Sequence, residues 1–204
     1  ECKESGSTLR FLLPVVAALG LDAEFKLTGR LRERPMQQLI SQLEEHGASI
    51  TLSDSGSISI SASSSHITPG EFNFTNPETS QYISGLLFAL PLLNGDSVIR
   101  VHNNLESSAY VVMTLDVLGK YGIKVDYSHT NKEWVFNVPG NQKYIYSAST
   151  IDGDWSNAAF LLALGVFGKA PLRINNLPLP SKQGDIKILD LLEDFGVTIN
   201  CYPD

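Results

Sequence analysis

Four short clusters in this chain combine residue types that hold anions, and each stands just ahead of a helical run. The first is Ser5-Gly6-Ser7-Thr8, before the apolar run Leu9 to Leu19. Free N–H groups at a helix N-terminus, hydroxyls, and a glycine that lets a ligand approach make a seat for a phosphate or carboxylate. The same residues also serve as plain helix caps. The second is Arg30-Leu31-Arg32-Glu33-Arg34-Pro35-Met36. Pro35 suits a first helical turn, which predicts Arg34 at a helix start, where the dipole disfavours a cation. An arginine held there implies a counter-anion in its guanidinium fork, or, more plainly, an ion pair with Glu33. The third is Glu78-Thr79-Ser80-Gln81, whose hydroxyls and carboxamide suit phosphate and hydroxyl groups. Capping is again the alternative. The fourth is Ser107-Ser108-Ala109-Tyr110.

The elements that must position these clusters recur. Gly6-Ser7-Thr8, Thr79-Ser80-Gln81 and Asp154-Trp155-Ser156 each open an apolar helical run, the last from Ala158 to Val166. A second helix follows in each case. Met36, Leu39, Ile40 and Leu43 share one face, as do Val111, Leu115 and Leu118, and Ile188, Leu189 and Leu192. These helices end at Gly47, Gly122 and Gly196, which suit left-handed caps before the strand-like runs Ala48 to Ile50, Ile123 to Val125 and Val197 to Ile199. Alternation predicts further strands at Glu24 to Thr28, Ser57 to Ser61, Glu71 to Thr75, Ser97 to His102, Glu133 to Val138 and Leu172 to Asn175. The Ser-rich stretch Ser53 to Ser65 reads as a solvated hairpin, and Pro139 to Tyr144 as a turn cluster closing the second repeat. With equivalent positions about 74 residues apart, the pattern is a duplicated βαβαββ unit, an α/β (α+β) fold rather than a solenoid.

Composition narrows the chemistry. A net charge of -7 argues against a nucleic-acid surface, although a few arginines in a cleft still attract a small anion. No apolar run is long enough to cross a membrane. Cys2 and Cys201 sit near opposite ends, which gives neither a disulfide framework nor metal spacing, and a reducing cytoplasm is the expected setting. The histidines show no paired ligand spacing. There is no Gly-x-Ser-x-Gly, no P-loop lysine and no dinucleotide fingerprint. Asp152 and Asp154 read as helix caps. The opening Glu1-Cys2-Lys3-Glu4 reads as mid-motif, so the chain is expected to be an internal piece of a longer protein.

Together, Ser5-Gly6-Ser7-Thr8-Leu9-Arg10, Arg32-Glu33-Arg34-Pro35-Met36, the run Thr79-Ser80-Gln81-Tyr82-Ile83-Ser84-Gly85, and Asp152-Gly153-Asp154-Trp155-Ser156 resemble the enolpyruvyl transferase family in order and spacing. The resemblance covers essentially the whole chain and is strongest to the branch acting on shikimate 3-phosphate. It implies two domains of βαβαββ units in an inside-out barrel arrangement, here incomplete. Residues 1–150 would be part of the first, shikimate 3-phosphate-binding domain, without its opening unit, and 151–204 the start of the second. It also implies that Gly6 and Arg34 bind phosphoenolpyruvate, that Ser7 is a substrate-binding residue, that Gln81 sits between the substrates and is catalytic together with Arg34, and that Thr79, Ser80, Ser107 and Tyr110 hold shikimate 3-phosphate. Arg10 would support the site. No cofactor or metal is implied, and the partners are the two substrates and the remainder of the same polypeptide.

Where Glu4 stands the family often has Asn, and Thr79 replaces a frequent Ser. The family's N-terminal Lys-Ser pair and the second domain's catalytic carboxylates, Lys and arginines are absent, so this piece alone is expected to be inactive. The branch acting on UDP-N-acetylglucosamine carries a reactive Cys ahead of its Arg-Pro pair, and the run Thr28 to Glu33 has none. A non-catalytic anion-binding module is the alternative from another class. RNA 3′-terminal cyclase shares a related repeat architecture at the level of fold only. Truncation within units is expected to expose strand edges and apolar faces and to favour self-association.

Overall fold

The computed structural model of the chain describes residues 1–53, 56–61, 66–168 and 170–202. Two compact units are present, Glu1–Tyr146 and Ser147–Asp204.

The first unit contains two copies of one arrangement. The first copy runs α1 (Gly6–Leu19), β1 (Ala23–Lys26), a 3₁₀ turn (Gly29–Glu33), α2 (Gln37–Glu45), β2 (Ser49–Leu52) and β3 (Ser57–Ser61). The second runs β4 (Glu71–Thr75), α3 (Gln81–Ala89), β5 (Ser97–His102), α4 (Ser108–Lys120), β6 (Asp126–His129) and β7 (Glu133–Val138). The sheets have the orders β1-β3-β2 and β4-β5-β7-β6. In the second sheet β4 and β5 are parallel, and β7 is antiparallel to both β5 and β6. In the first sheet β3 is antiparallel to β1 and β2, and an isolated parallel bridge, Lys3 to Leu27, stands where β4 meets β5. The last strand of each repeat therefore takes the middle place, between the two strands made before it.

This order gathers the helix N-termini. Because β4 and β5 run parallel and each is followed by a helix, α3 and α4 both begin at the carboxyl edge of that strand pair, where α/β sheets present ligands. Lys3 and Leu27 likewise lead into α1 and the 3₁₀ turn. The second helices end as their glycines predict. Ala48, Ile123 and Val197 each donate a backbone N–H to the carbonyl five residues back, of Leu43, Leu118 and Leu192, while Gly47, Gly122 and Gly196 hold positive φ.

The repeats meet helix to helix, α1 on α3. Leu9, Leu13, Ile83, Leu86 and Leu87 are fully buried there, each worth about 1.5–3 kcal/mol of burial. Gly85 lets the backbones touch: a Cβ on it would overlap the Arg10 carbonyl. Pro14, inside α1, has no N–H to offer that carbonyl, so the point of closest approach is also the point where the α1 ladder is open.

In the second unit, Asp154 caps α5 (Trp155–Val166), its Oδ1 accepting from Ser156 N at 2.8 Å. A 3₁₀ turn (Gly184–Lys187) leads into α6 (Ile188–Asp194). The carboxamide of Gln183 accepts from Trp155 N and donates to Gly153 O, each at 2.8 Å, and Trp155, Ala158 and Leu192 are buried.

Four sequence expectations need correction. Leu172 to Asn175 and Val197 to Ile199 form no ladder. In the first unit the equivalent strands bond to the repeat's last strand and not to each other. The strand after Gly122 starts at Asp126, because the Gln142 side chain holds the Lys124 N–H and carbonyl at 2.8 and 2.9 Å. Arg34 does not open a helix. It ends the 3₁₀ turn in extended backbone, with φ -73° and ψ 138°, and α2 begins at Gln37. The Pro35 carbonyl is taken instead by Arg10 Nη2 and Tyr82 Oη, at 3.0 and 2.6 Å. Of the expected Ser-rich hairpin at Ser53 to Ser65, Ser57–Ser61 forms β3, which pairs with the preceding β2, and residues 54, 55 and 62–65 lie outside the described set.

Candidate functional site

Ser5 caps α1, its Oγ accepting from Thr8 N at 3.2 Å and Thr8 Oγ1 at 2.8 Å. Gly6 is the first helical residue, and its missing side chain is the centre of the site. A methyl group there would lie 2.8 Å from Arg10 Nη1 and 3.2 Å from Arg34 Nη1. Two guanidiniums thus converge on the start of α1 from different elements. Arg10 reaches back from the next turn of its own helix, and Arg34 comes from the loop ahead of α2. Away from this point, on the second sheet, Arg100 pairs with Glu71 and Glu133, and His102 meets Glu133. The Arg34–Glu33 pair is not formed.

Arg10 is 5% exposed, rare for an arginine. Nη1 donates to Gln81 Oε1 at 2.9 Å and Nη2 to the Pro35 carbonyl, and its guanidinium lies 5.6 Å from the Tyr82 ring centroid. Its Nε is buried without a partner. Burial pulls the guanidinium below its ordinary pKa; Tyr82 opposes this and neighbouring Arg34 adds to it. Tyr82, fully buried, is pushed up to about 12, chiefly by burial and then by Glu78. Arg10 therefore ties together Gln81, the first residue of α3, and Pro35, the neighbour of Arg34. Thr79 Oγ1 accepts from Gln81 N at 3.2 Å, and Ser80, buried, precedes the helix. Ser7 Oγ lies 3.2 Å from Ser5 Oγ. This arrangement concentrates positive charge and N–H donors against a glycine wall, which suits a carboxylate or phosphate.

A profile of the family described as EPSP synthase (3-phosphoshikimate 1-carboxyvinyltransferase) matches residues 1–204. The chain belongs to the EPSP synthase family. It is 39% identical over 199 residues to the 3-phosphoshikimate 1-carboxyvinyltransferase of Clostridium kluyveri, covering 98% of this chain and 45% of that protein. It is 32% identical over 203 residues to the enzyme of the same name from Methanococcus maripaludis, covering 98% and 47%. The fold is that of the enolpyruvyl transferases. It superposes on an EPSP synthase from Acinetobacter baumannii with a TM-score of 0.71 at 20% identity, over 95% of this chain and 42% of the other. On the enolpyruvyl transferase NikO from Streptomyces tendae the TM-score is 0.65 at 20% identity, over 96% and 45%. The chain thus spans about half the length of the relatives it matches.

Within this EPSP synthase family chain the sequence-read residues divide. Gly6, Arg10, Arg34 and Gln81 are brought together directly, with Ser7, Thr79 and Ser80 on the same two helix starts. Ser107 and Tyr110 open the neighbouring helix, α4, with Ser107 at φ 55°. Their helix packs on α3, where the Ser84 and Thr114 hydroxyls lie 2.8 Å apart and Thr114 donates to the Tyr110 carbonyl; the contacts given above for Gly6, Arg34 and Gln81 include neither Ser107 nor the Tyr110 side chain. Sequence reading missed Tyr82 and Gly85 as positioning residues. Both stand in the quoted motif, but their partners are remote in sequence. Glu4 turns away from Gly6 and lies over Gly29, whose φ is +54° and where a Cβ would overlap the carboxylate. Among the described residues there is no cluster of three or more His, Cys, Asp or Glu suited to a metal, and no helix is long and apolar enough to cross a membrane. His46 stacks on Phe72 and His129 on Trp134, as packing residues do.

Proposed function

We propose that this chain supplies one half of the cleft of an enzyme that transfers the enolpyruvyl group of phosphoenolpyruvate to the 5-hydroxyl of shikimate 3-phosphate. The observation that carries this reading is the convergence of Arg10 and Arg34 on Gly6, with Gln81 clasped beside them. Arg34 grips phosphoenolpyruvate, Gly6 and Ser7 form its wall, and Gln81 lies between the two substrates. Thr79, Ser80, Ser107 and Tyr110 hold shikimate 3-phosphate, and Arg10 positions Gln81.

In this reaction the substrate's 5-hydroxyl oxygen bonds to C2 of phosphoenolpyruvate while C3 takes a proton and becomes a methyl group. The tetrahedral adduct then loses inorganic phosphate from C2 and a proton from C3, restoring the double bond. This chain's part is orientation and cationic stabilisation of developing charge. The acid/base groups belong to the remainder of the polypeptide. Residues 1–150 are on this reading part of the first domain and 151–204 the start of the second, in a cytoplasmic enzyme. The piece alone does not turn over.

The test is product formation in D2O by the longer polypeptide carrying this sequence. The mechanism predicts deuterium in the enolpyruvyl methylene, because C3 passes through a methyl group. Transfer without deuterium, or no transfer, would reject it.

A further inference from the structure

Pro35 stands where a helix could start, and the helix does not start there. Its fixed φ suits a first helical turn, and α2 follows almost at once, from Gln37. Yet α2 takes its first turn from Met36, whose carbonyl accepts from Ile40 N at 3.0 Å and whose own backbone, at φ -138° and ψ -7°, is not helical. The Pro35 carbonyl points out of the helix and accepts two donors, Tyr82 Oη at 2.6 Å and Arg10 Nη2 at 3.0 Å. A helix begun at Pro35 would turn this carbonyl along the axis toward Leu39 N and would swing Arg34, the residue before it, round with it. On its other side Arg34 is also held, its N donating to the Leu31 carbonyl at 3.3 Å. The Arg34 backbone is therefore clamped at both ends, and its Nη1 comes within 3.2 Å of the place of a Cβ on Gly6.

The two donors on this carbonyl are not equivalent. Arg10 divides its guanidinium between Pro35 and Gln81, to which Nη1 donates at 2.9 Å. Tyr82 is fully buried in the first turn of α3, its ring centroid 6.1 Å from that of Phe74 and 5.6 Å from the Arg10 guanidinium carbon. Packing thus fixes where its hydroxyl stands, and burial keeps that hydroxyl protonated, its pKa pushed up to about 12, so that it donates across the neutral range. We infer that Tyr82 is a positioning residue for the anion site: its hydroxyl holds the Pro35 carbonyl out of α2 and so keeps the Arg34 guanidinium aimed at Gly6. The anion is phosphoenolpyruvate, and in that identity the inference rests on the proposed function. Phenylalanine in place of Tyr82 keeps the ring and its packing and removes only the hydroxyl. Arg10 would then hold the carbonyl alone while still holding Gln81, and the helical position toward Leu39 N would compete for it.

Kinetics of the longer polypeptide carrying Tyr82→Phe, with and without Arg34→Ala, test it. The loss of one hydrogen bond is expected to raise the KM for phosphoenolpyruvate by roughly 5-fold and to leave that for shikimate 3-phosphate in place. Because Tyr82 acts through Arg34, the same change should have no further effect on kcat/KM for phosphoenolpyruvate once Arg34 is alanine. Amide exchange at Leu39 gives a second readout that needs no turnover: it should slow in Tyr82→Phe, as the Pro35 carbonyl turns toward that N–H. An unchanged KM for phosphoenolpyruvate, a rise shared equally by both substrates, or the same loss in the Arg34→Ala background would overturn the inference and leave Tyr82 a packing residue. Unchanged exchange at Leu39 would overturn the hold on the carbonyl. Absence of turnover in the wild-type chain would instead reject the catalytic reading, and exchange at Leu39 would then decide by itself whether Tyr82 keeps Pro35 out of the helix.

Discussion

Gly6 carries the site by what it lacks. A methyl group on it must displace Arg10 Nη1, 2.8 Å away, and that nitrogen also holds Gln81. In the longer polypeptide Gly6→Ala is expected to raise the KM for phosphoenolpyruvate about 10-fold, with little effect on folding because the end of a flexible side chain yields. Steady-state kinetics with a melting control would show it; an unchanged KM would remove Gly6 from the binding wall. Tyr82 makes a different prediction. Its proton is held to about pH 12 in the fold, against about 10 in the unfolded chain. The native state therefore binds more protons between these values, and the stability present below pH 10 is lost as pH rises through 12. Tyr82→Phe should cost about 1 kcal/mol at neutral pH, from the lost bond to Pro35, and make the alkaline decline shallower in urea titrations between about pH 9 and 12. An equally steep decline would place the proton elsewhere. At this scale residue types were legible but partnerships were not. Arg34 and Gln81 stood out by chemistry, whereas Arg10 and its partner Gln81 are separated by 71 positions and only the fold joins them.

Among the elements, the contact of α1 with α3 sets the site, because Gln81 stands one turn before Gly85. Gly85→Ala should destabilise by about 1–3 kcal/mol and lower activity by displacing Gln81, since the overlap is with backbone that cannot rotate away. Gly119 is the control. Nothing lies within 4 Å of a Cβ there, and Gly119→Ala in α4 should stabilise by roughly 0.5–1 kcal/mol. Urea midpoints of the two variants moving the same way would contradict the packing argument. The strands Ser57–Ser61, Glu71–Thr75, Ser97–His102 and Glu133–Val138 form where alternation puts them. Alternation records which face of a segment is apolar, not which neighbour completes its ladder, and so Leu172 to Asn175 misleads. Arg34 misleads for a related reason: Pro35 is suited to a helix start, but tertiary partners hold its carbonyl outside the helix.

For the whole molecule, repeats were the legible feature, since the capping glycines Gly47, Gly122 and Gly196 recur with a period visible in the sequence. Exposed apolar surface was expected, but which residues form it was not legible, because a helix apolar all round gives no sign of which side is covered. On α5, Phe160, Leu164 and Phe167 are 77%, 67% and 86% exposed at helical spacing. Residues 1–204 should therefore self-associate in light scattering at micromolar concentration, and Phe160→Glu with Phe167→Lys should reduce this. A monodisperse parent chain would contradict it.

In the proposed function Arg34 is the grip on phosphoenolpyruvate. The most direct measurement is phosphate release from phosphoenolpyruvate by the longer polypeptide, with shikimate 3-phosphate or UDP-N-acetylglucosamine as acceptor, in wild type and Arg34→Ala. Release with shikimate 3-phosphate only, falling by roughly 100-fold or more in the variant, is the predicted result. Release that needs neither shikimate 3-phosphate nor Arg34 would contradict it.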